Sequence, residues 1–346
     1  MQCAVITGPV FDLHDCPGHP ESANRLHTIL ASLPTGISIL KPEAATEEDL
    51  ARVHLPGYLA WLHRLSPRSV SEDPAGDRVG SGGKVTGAPG SPDFIDADTY
   101  FTPWSYGVAM YAAGAACTAA ERALEGKSSF ALVRPPGHHA LPGRAMGFCL
   151  INNAAVAAAR ALGSADRIAI VDWDVHHGNG TQEIFRKSNR VLYCSVHAEG
   201  IFPGSGAATE TGTGAGAGYT VNAPLLPGST IGDYAHVFTE LFIPVLERAR
   251  PDLLIVSAGQ DAMTGDPLSV MDLHPVDYGT LTGLLLDATG LAPAFILEGG
   301  YGRSHPAAIN AILSAVGGER SSAQVPGPTD ATRARVRLFR KLHGIG

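Results

Sequence analysis

The chain has 346 residues, 45% of them hydrophobic and only 17% charged, with a net charge of −8 and 14 histidines. That apolar content excludes an intrinsically disordered chain, no apolar run reaches the ~18 residues of a membrane span, and the acidic balance lacks the basic footprint of a nucleic-acid binder. It suits a cationic partner. The opening residues Met1-Gln2-Cys3-Ala4-Val5 place no positive charge ahead of an apolar run, so no secretory leader is expected. Five cysteines, Cys3, Cys16, Cys117, Cys149 and Cys194, form no C-x-x-C pair and are odd in number. Reduced thiols in a cytoplasmic protein are the expectation that follows.

Short apolar runs alternate with longer alanine-rich helical patterns, which is how βαβ units around a parallel sheet read in sequence. The first strand is predicted at 4–7. A Gly-, Pro- and Ser-rich loop covers 66–92, and the acids Asp93, Asp96 and Asp98 follow it, either to read a cation or to keep the loop solvated. A helix is predicted over 104–124 and a strand over 130–133. This strand runs into Arg134-Pro135-Pro136-Gly137-His138-His139, a turn stiffened by proline and bent at glycine. Two adjacent imidazoles held in this way suit proton transfer, or else clip a metal.

A helix at 152–162 precedes a strand at 168–171, which leads straight into Asp172-Trp173-Asp174-Val175-His176-His177. Strand side chains alternate with period two, so Asp172, Asp174 and His176 are expected on one side. They would converge at a strand's carboxyl end, where open α/β sheets carry their sites. A strand at 191–196 is followed by a glycine-rich loop over 204–218 and a strand at 219–221. Beyond a helix at 231–248, the strand 253–257 ends in Ala258-Gly259-Gln260-Asp261. Asp174, His176 and Asp261 then supply one imidazole and two carboxylates, the three-ligand set of a catalytic zinc with one open position. A helix at 275–288 leads to the strand 294–297 and Glu298-Gly299-Gly300-Tyr301, whose tyrosine either donates to a developing oxyanion or anchors its loop. The tail, 319–346, carries a basic helix over 332–342 that reads as a packing helix. No linker divides the chain, so 1–346 is read as one domain. Gly212-Thr213-Gly214-Ala215-Gly216-Ala217 matches a loose dinucleotide pattern but precedes a strand where a helix is needed.

Together, these motifs resemble a known family. Gly18-His19-Pro20-Glu21 with Arg25, Val133 through His139, Gly147-Phe148-Cys149, Asp172 through Gln182, Phe202 through Gly206, Ser257 through Asp261 and Glu298 through Tyr301 resemble the histone deacetylase superfamily. That superfamily includes bacterial and archaeal deacetylase-like amidohydrolases and acetylpolyamine amidohydrolases. The resemblance implies an arginase-like α/β fold with a single eight-stranded parallel sheet flanked by helices. It implies a zinc-dependent deacetylase acting on acetyl-lysine in proteins or peptides, with acetylpolyamines as the alternative substrate. Asp174, His176 and Asp261 are implied as zinc ligands, His139 as general base and acid, and His138 as its electrostatic partner. Asp172 is similar to the carboxylate that orients His138, and Asn179 to the partner of His139 in class II-like members. Tyr301 is implied as the oxyanion donor. Gly147, Phe148 and Phe202 resemble the lining of a narrow channel, Leu268 its apolar gatekeeper, and Asp98 a contact to the substrate backbone. Asp172, Asp174, His176, Ser195 and Val196 resemble one structural potassium site, and Phe185, Ser188, Val191 and Tyr219 a second.

Gln260 departs from the family's usual Phe and sets a polar group beside the zinc loop. A dimanganese ureohydrolase of the same fold needs an Asp two positions after Asp261, where this chain has Met263, a poor ligand for a hard cation. A catalytically silent acetyl-lysine binding protein is the reading of another class. Loss of Tyr301 or of either tandem histidine would favour it, and all three are present. The sequence leaves homo-oligomerisation open.

Overall fold

The predicted alternation builds one sheet of eight parallel strands, in a computed structural model that describes residues 3–68, 70, 92–319 and 324–346. Most of the 66–92 loop lies outside the described residues, as do 320–323 of the tail. In chain order the strands are β1 (Ala4–Ile6), β2 (Ile39–Leu40), β3 (Asp93–Phe94), β4 (Tyr100–Phe101), β5 (Ser129–Ala131), β6 (Ile168–Asp172), β7 (Val191–Ala198), β8 (Thr220–Leu225), β9 (Leu253–Ala258) and β10 (Pro293–Leu297). The sheet runs β2-β1-β5-β10-β9-β6-β7-β8, and β3 and β4 form a separate antiparallel hairpin. Strands covered on both faces carry near-continuous Val, Ile, Leu and Ala runs, and every residue of β5 to β10 is buried.

The sheet order positions the site. The four strands whose ends carry the polar motifs, β5, β10, β9 and β6, are neighbours in the middle of the sheet, although 167 residues separate Arg134 from Tyr301 (301 − 134). Register aligns their ends: Asp172 of β6 lies beside Ser257 of β9, and Leu297 of β10 beside Ala258. All four turns therefore open on one edge of the sheet. The helix Ser105–Leu124 packs across this region, against β5, β10 and β9. Its alanines at 109, 112, 113, 116, 119 and 120 are buried and let it lie close to the strands and to helix Asn153–Ala161.

The predicted strand positions hold, and the departures have local causes. β2 is two residues long on the outer edge, too short for a periodic signal. β8 runs to Leu225 through Pro224, which an edge strand tolerates. The single helix expected at 231–248 is three pieces, Ile231–Val237, a π-helical turn over Phe238–Phe242 and Ile243–Ala249. Pro244 lacks the N–H that would bond to residue 240, so the ladder changes pitch before it. Helices Asn24–Ser32, Pro56–Leu65, Pro275–Thr289, as expected at 275–288, and His305–Val316, which packs against it, add to the layers.

The basic helix, Asp330–Leu342, packs through Val336 and Phe339, while Arg335 pairs with Glu199 at 2.7 Å and Arg340 with Glu240. Its charges are spent largely on the protein's own surface. All five cysteines are buried and unpaired. Among the described residues no helix is long and apolar enough to cross a membrane.

Candidate active site

Asp174 and His176 follow β6 and Asp261 follows β9, so one strand junction brings all three together. Their ligand atoms lie within 4.8 Å of one another. His176 Nδ1 stands 3.2 Å from Asp174 Oδ1 and 3.1 Å from Asp261 Oδ2. Backbone donors orient both carboxylates: Gly299 N to Asp174 Oδ2 at 2.8 Å and Val175 N to Asp261 Oδ1 at 2.9 Å. Position 299 must be glycine, because a Cβ there would stand 2.2 Å from Asp261 Oδ2 and 2.6 Å from Asp174 Oδ2.

The donor set fits a cation. Burial and the neighbouring Asp174 push the Asp261 carboxyl up to about 7. Burial works against the His176 imidazolium, yet hydrogen bonds to Asp174 and Asp261 lift it to about 10. A proton held between two buried carboxylates marks the place where a divalent ion would satisfy both. Asp172 is not part of this group. β6 ends at Asp172, so the period-two alternation stops there. Asp174 and His176 are joined instead by a turn in which His176 N donates to Asp174 Oδ1 at 2.9 Å. Asp172 turns to His138 Nδ1 at 3.1 Å and the Tyr193 hydroxyl at 2.9 Å.

The tandem histidines are opposites. Burial disfavours charge on His138, but Asp174 and Asp172 overcome it and raise His138 to about 10. Burial, His138 and His176 together hold His139 well below its ordinary value, so it is neutral. Its Nδ1 lies 2.8 Å from Asn179 Oδ1; an amide oxygen only accepts, so Nδ1 carries the proton and Nε2 is free to take another. The turn itself hangs on Glu298, whose Oε2 accepts from Gly137 N at 2.7 Å and His138 N at 3.1 Å, while Ser257 donates to Oε1. Burial raises that carboxyl to about 7.

Above these groups lies a narrow cavity of about 150 Å³, lined by His138, His139, Gly147, Phe148, Phe202 and Tyr301 together with Pro136, Gly299, Leu268, Asp98 and the three potential ligands. Phe202 meets the His139 ring edge-on at 5.0 Å, and Phe148 meets Tyr301 edge-on at 5.7 Å. Phe148 has φ +67°, a conformation uncommon for a bulky residue, and Thr99 Oγ1 accepts its N–H at 3.2 Å. Asp98 is exposed at the mouth. Asp96 is committed to the N–H groups of Asp98 and Thr99, and Asp93 to that of Phe94, so of the three predicted acids only Asp98 lines the cavity. Tyr301 sits under the Arg25 guanidinium, 4.6 Å from the ring centre, and Arg25 also donates to Gly300 O at 2.8 Å. Burial keeps its phenol protonated, far above the ordinary value.

Gln260 is buried and bonded at both ends of its amide: Nε2 donates to Ala258 O at 2.5 Å, and Oε1 pairs with His305 Nε2 at 2.8 Å. Of the residues expected around potassium, Ser195 stands beside Asp172 in register, with Val196 next on β7. In the second set, Phe185 O accepts from Ser188 N at 2.8 Å and Tyr219 O from Tyr193 N at 2.9 Å, and Val191 starts β7. His177 and His197 pack ring to ring at 4.8 Å and hold the loop behind Phe202 through Ser205 and Gly206. The sequence reading assigned no role to Glu298, to Asp266, or to the buried pair Glu21–Arg134, in which both carboxylate oxygens accept from Arg134 at 2.6 and 2.8 Å. Glu21, Arg134 and Glu298 lie within the quoted motifs, and that membership is the one signal that could have drawn attention to them; Asp266 has none.

An eight-stranded parallel sheet with this cluster at its carboxyl edge, under a narrow aromatic channel, defines a metal-capable hydrolase of the arginase/deacetylase fold. The comparisons go one step further: the chain belongs to the histone deacetylase family, its residues 19–316 matching the histone deacetylase domain. It is 40% identical over 324 residues to histone deacetylase 15 of Arabidopsis thaliana, covering 89% of this chain and 54% of that protein. It thus spans about half the length of that plant relative. The histone deacetylase-like amidohydrolase of Pseudomonas aeruginosa is 36% identical over 319 residues, covering 89% of this chain and 78% of its own length. A probable deacetylase of Methanothermobacter thermautotrophicus is 36% identical, with coverages of 86% and 85%. The crystal structure of the HDA15 HD domain superposes with a TM-score of 0.86 at 35% identity, covering 99% of this chain and 95% of that one. These relationships support a deacetylase activity.

Proposed function

We propose that the protein is a zinc-dependent deacetylase that hydrolyses the acetyl amide of acetyl-lysine in peptides or proteins. The observation that carries this reading is the convergence of Asp174, His176 and Asp261 beneath a narrow apolar channel that also presents His139 and Tyr301. Those three residues would hold the zinc ion. When bound, zinc supplies Lewis acidity, which polarises a carbonyl and lowers the pKa of a water molecule. His139 Nε2 accepts the proton of the attacking water and delivers it to the leaving amine nitrogen; Asn179 fixes the tautomer this requires. The charged His138, held by Asp172, keeps its neighbour neutral and ready to accept. The Tyr301 hydroxyl donates to the acetyl oxygen as that oxygen gains charge. Phe148 and Phe202 flank an extended alkyl stem and exclude water around it, while Gly147 leaves the width, and Asp98 accepts from the substrate's backbone at the mouth.

Leu268 favours lysine over a polyamine, since an apolar residue at the rim offers nothing to a second ammonium group. The exposed Asp98 favours acetylpolyamine as the second reading. Potassium at the backbone oxygens around Asp172, Ser195 and Val196, and around Phe185, Ser188, Val191 and Tyr219, belongs to the same proposal. So do a single domain over 1–346, which the one continuous sheet supports, and a cytoplasmic location.

The test compares kinetics on an acetyl-lysine peptide, acetylputrescine and acetylspermidine, before and after chelation and zinc repletion. Higher kcat/KM on the peptide, lost on chelation and restored by zinc, is expected. A polyamine preference would reverse the substrate assignment, and no turnover of any of the three by the zinc-loaded protein would overturn the reading.

A further inference from the structure

Asp266 stands on the rim turn after Asp261 and is buried, with 6% of its surface exposed. Its carboxylate is fully engaged by backbone amides from two separate turns. Oδ2 accepts from Tyr301 N at 2.6 Å and Gly302 N at 2.7 Å, and Oδ1 accepts from Leu268 N at 3.0 Å. The rim turn is itself tied down, Asp266 N donating to Met263 O at 3.1 Å and Thr264 N to Leu273 O at 2.9 Å. The two turns also touch through their backbones: a Cβ on Gly302 would stand 3.1 Å from the Cα of Asp266 and 3.4 Å from its Cβ. No side chain can separate them without moving one.

We infer that Asp266 is a positioning residue, which sets the depth of the Tyr301 phenol in the cavity and couples it to Leu268 at the rim. The inference rests on the role given to Tyr301 in the proposed reaction. Arg25 holds the same tyrosine from the other side, through its ring and through Gly300 O. The helix Asn24–Ser32 thus holds the ring and the carbonyl before it, and the rim turn holds the Tyr301 amide. A carboxylate suits the second task because three N–H groups point at it, and its two oxygens offer lone pairs to all of them. An amide offers one acceptor oxygen and turns an N–H toward whichever donor the other oxygen had served.

The test is a double-mutant cycle on the zinc-loaded full chain, reading kcat, KM and bound metal for Asp266→Ala, Tyr301→Phe and the pair. Asp266→Ala is expected to lower kcat by about 10- to 100-fold, the scale of a misplaced transition-state donor, with KM changed far less and metal content unchanged. In the Tyr301→Phe background the same substitution is expected to cost little more, because the group it positions has already gone. Asp266→Asn keeps the volume and one acceptor, so it is expected to fall between wild type and Ala, and it serves where the alanine variant folds poorly. Equal losses from Asp266→Ala with and without the Tyr301 hydroxyl, or unchanged kcat in both Asp266 variants, would overturn the assignment alone. Full activity of Tyr301→Phe would remove the phenol from the reaction and overturn its proposed role as well.

Discussion

At the floor of the cavity, Asp174, His176 and Asp261 stand just beyond two adjacent strands, and backbone amides fix their carboxylates. At the rim, Phe148, Phe202 and Leu268 come from three loops held by side chains such as Thr99, Ser205 and Asp266. The floor is buried and charged; every carboxylate and imidazole there has a specific hydrogen-bond partner, and the low local dielectric strengthens those bonds. The rim is partly exposed, with Phe202 43% open, and its residues act by shape. Chemistry belongs where the sheet supplies rigidity, and selection among substrates where loops can differ.

That contrast can be broken by substitution. The largest effect is expected at the floor: Asp261→Asn should lose stoichiometric metal, measured by elemental analysis, and lower turnover by ~10³-fold or more, since a bound Lewis acid supplies several kcal/mol. Beneath the tandem histidines, Glu21→Ala would strand the fully buried Arg134, which precedes that turn. A loss of ~3–5 kcal/mol of unfolding free energy in urea is expected; a loss under ~1 kcal/mol, as for an exposed pair, would show that this support is dispensable.

A smaller effect is set by pH. His54 accepts from Asn152 N at 3.0 Å and lies 3.1 Å from Leu141 O, so it is neutral when folded, and burial lowers it to about 4. Between the ordinary value near ~6.5 and about 4, the unfolded chain binds the extra proton, so this contribution is complete above that window and shrinks as pH falls through it. Roughly 2 kcal/mol less stability at pH 5 than at pH 7 is expected from this residue. His54→Gln should flatten that part of the urea-midpoint profile; an unchanged slope would refute the assignment. The smallest effect belongs to the rim: Leu268→Ala should raise KM by less than ~10-fold with kcat nearly unchanged, the scale of a partly buried aliphatic contact. A loss in kcat as large as that from Asp261→Asn would erase the distinction between rim and floor.

Asp174, His176 and Asp261 were legible as a ligand set because each follows an apolar run by a few residues, and strand ends are where such groups gather. The role of Asp172 was only partly legible. Alternation predicts one face, but the strand ends at that residue, and the turn beyond it separates the ligands from the carboxylate that holds His138. Asp266 left no signal at all, since its partners are backbone amides of residues two and more than thirty positions away. Gln260 read as an intrusion until His305 appeared beside it.

By itself the sequence determined the parallel α/β class, the strands and turns that carry the motifs, and the residue types available for chemistry. These depend on local periodicity and on turn residues, which a single chain displays directly. The tertiary structure alone decided that β5, β10, β9 and β6 are neighbours, which tautomer His139 holds, and which acids are free and which are committed to backbone amides. Those outcomes depend on contacts between segments far apart in the chain, and burial sets their strength; neither is written in any local stretch of residues.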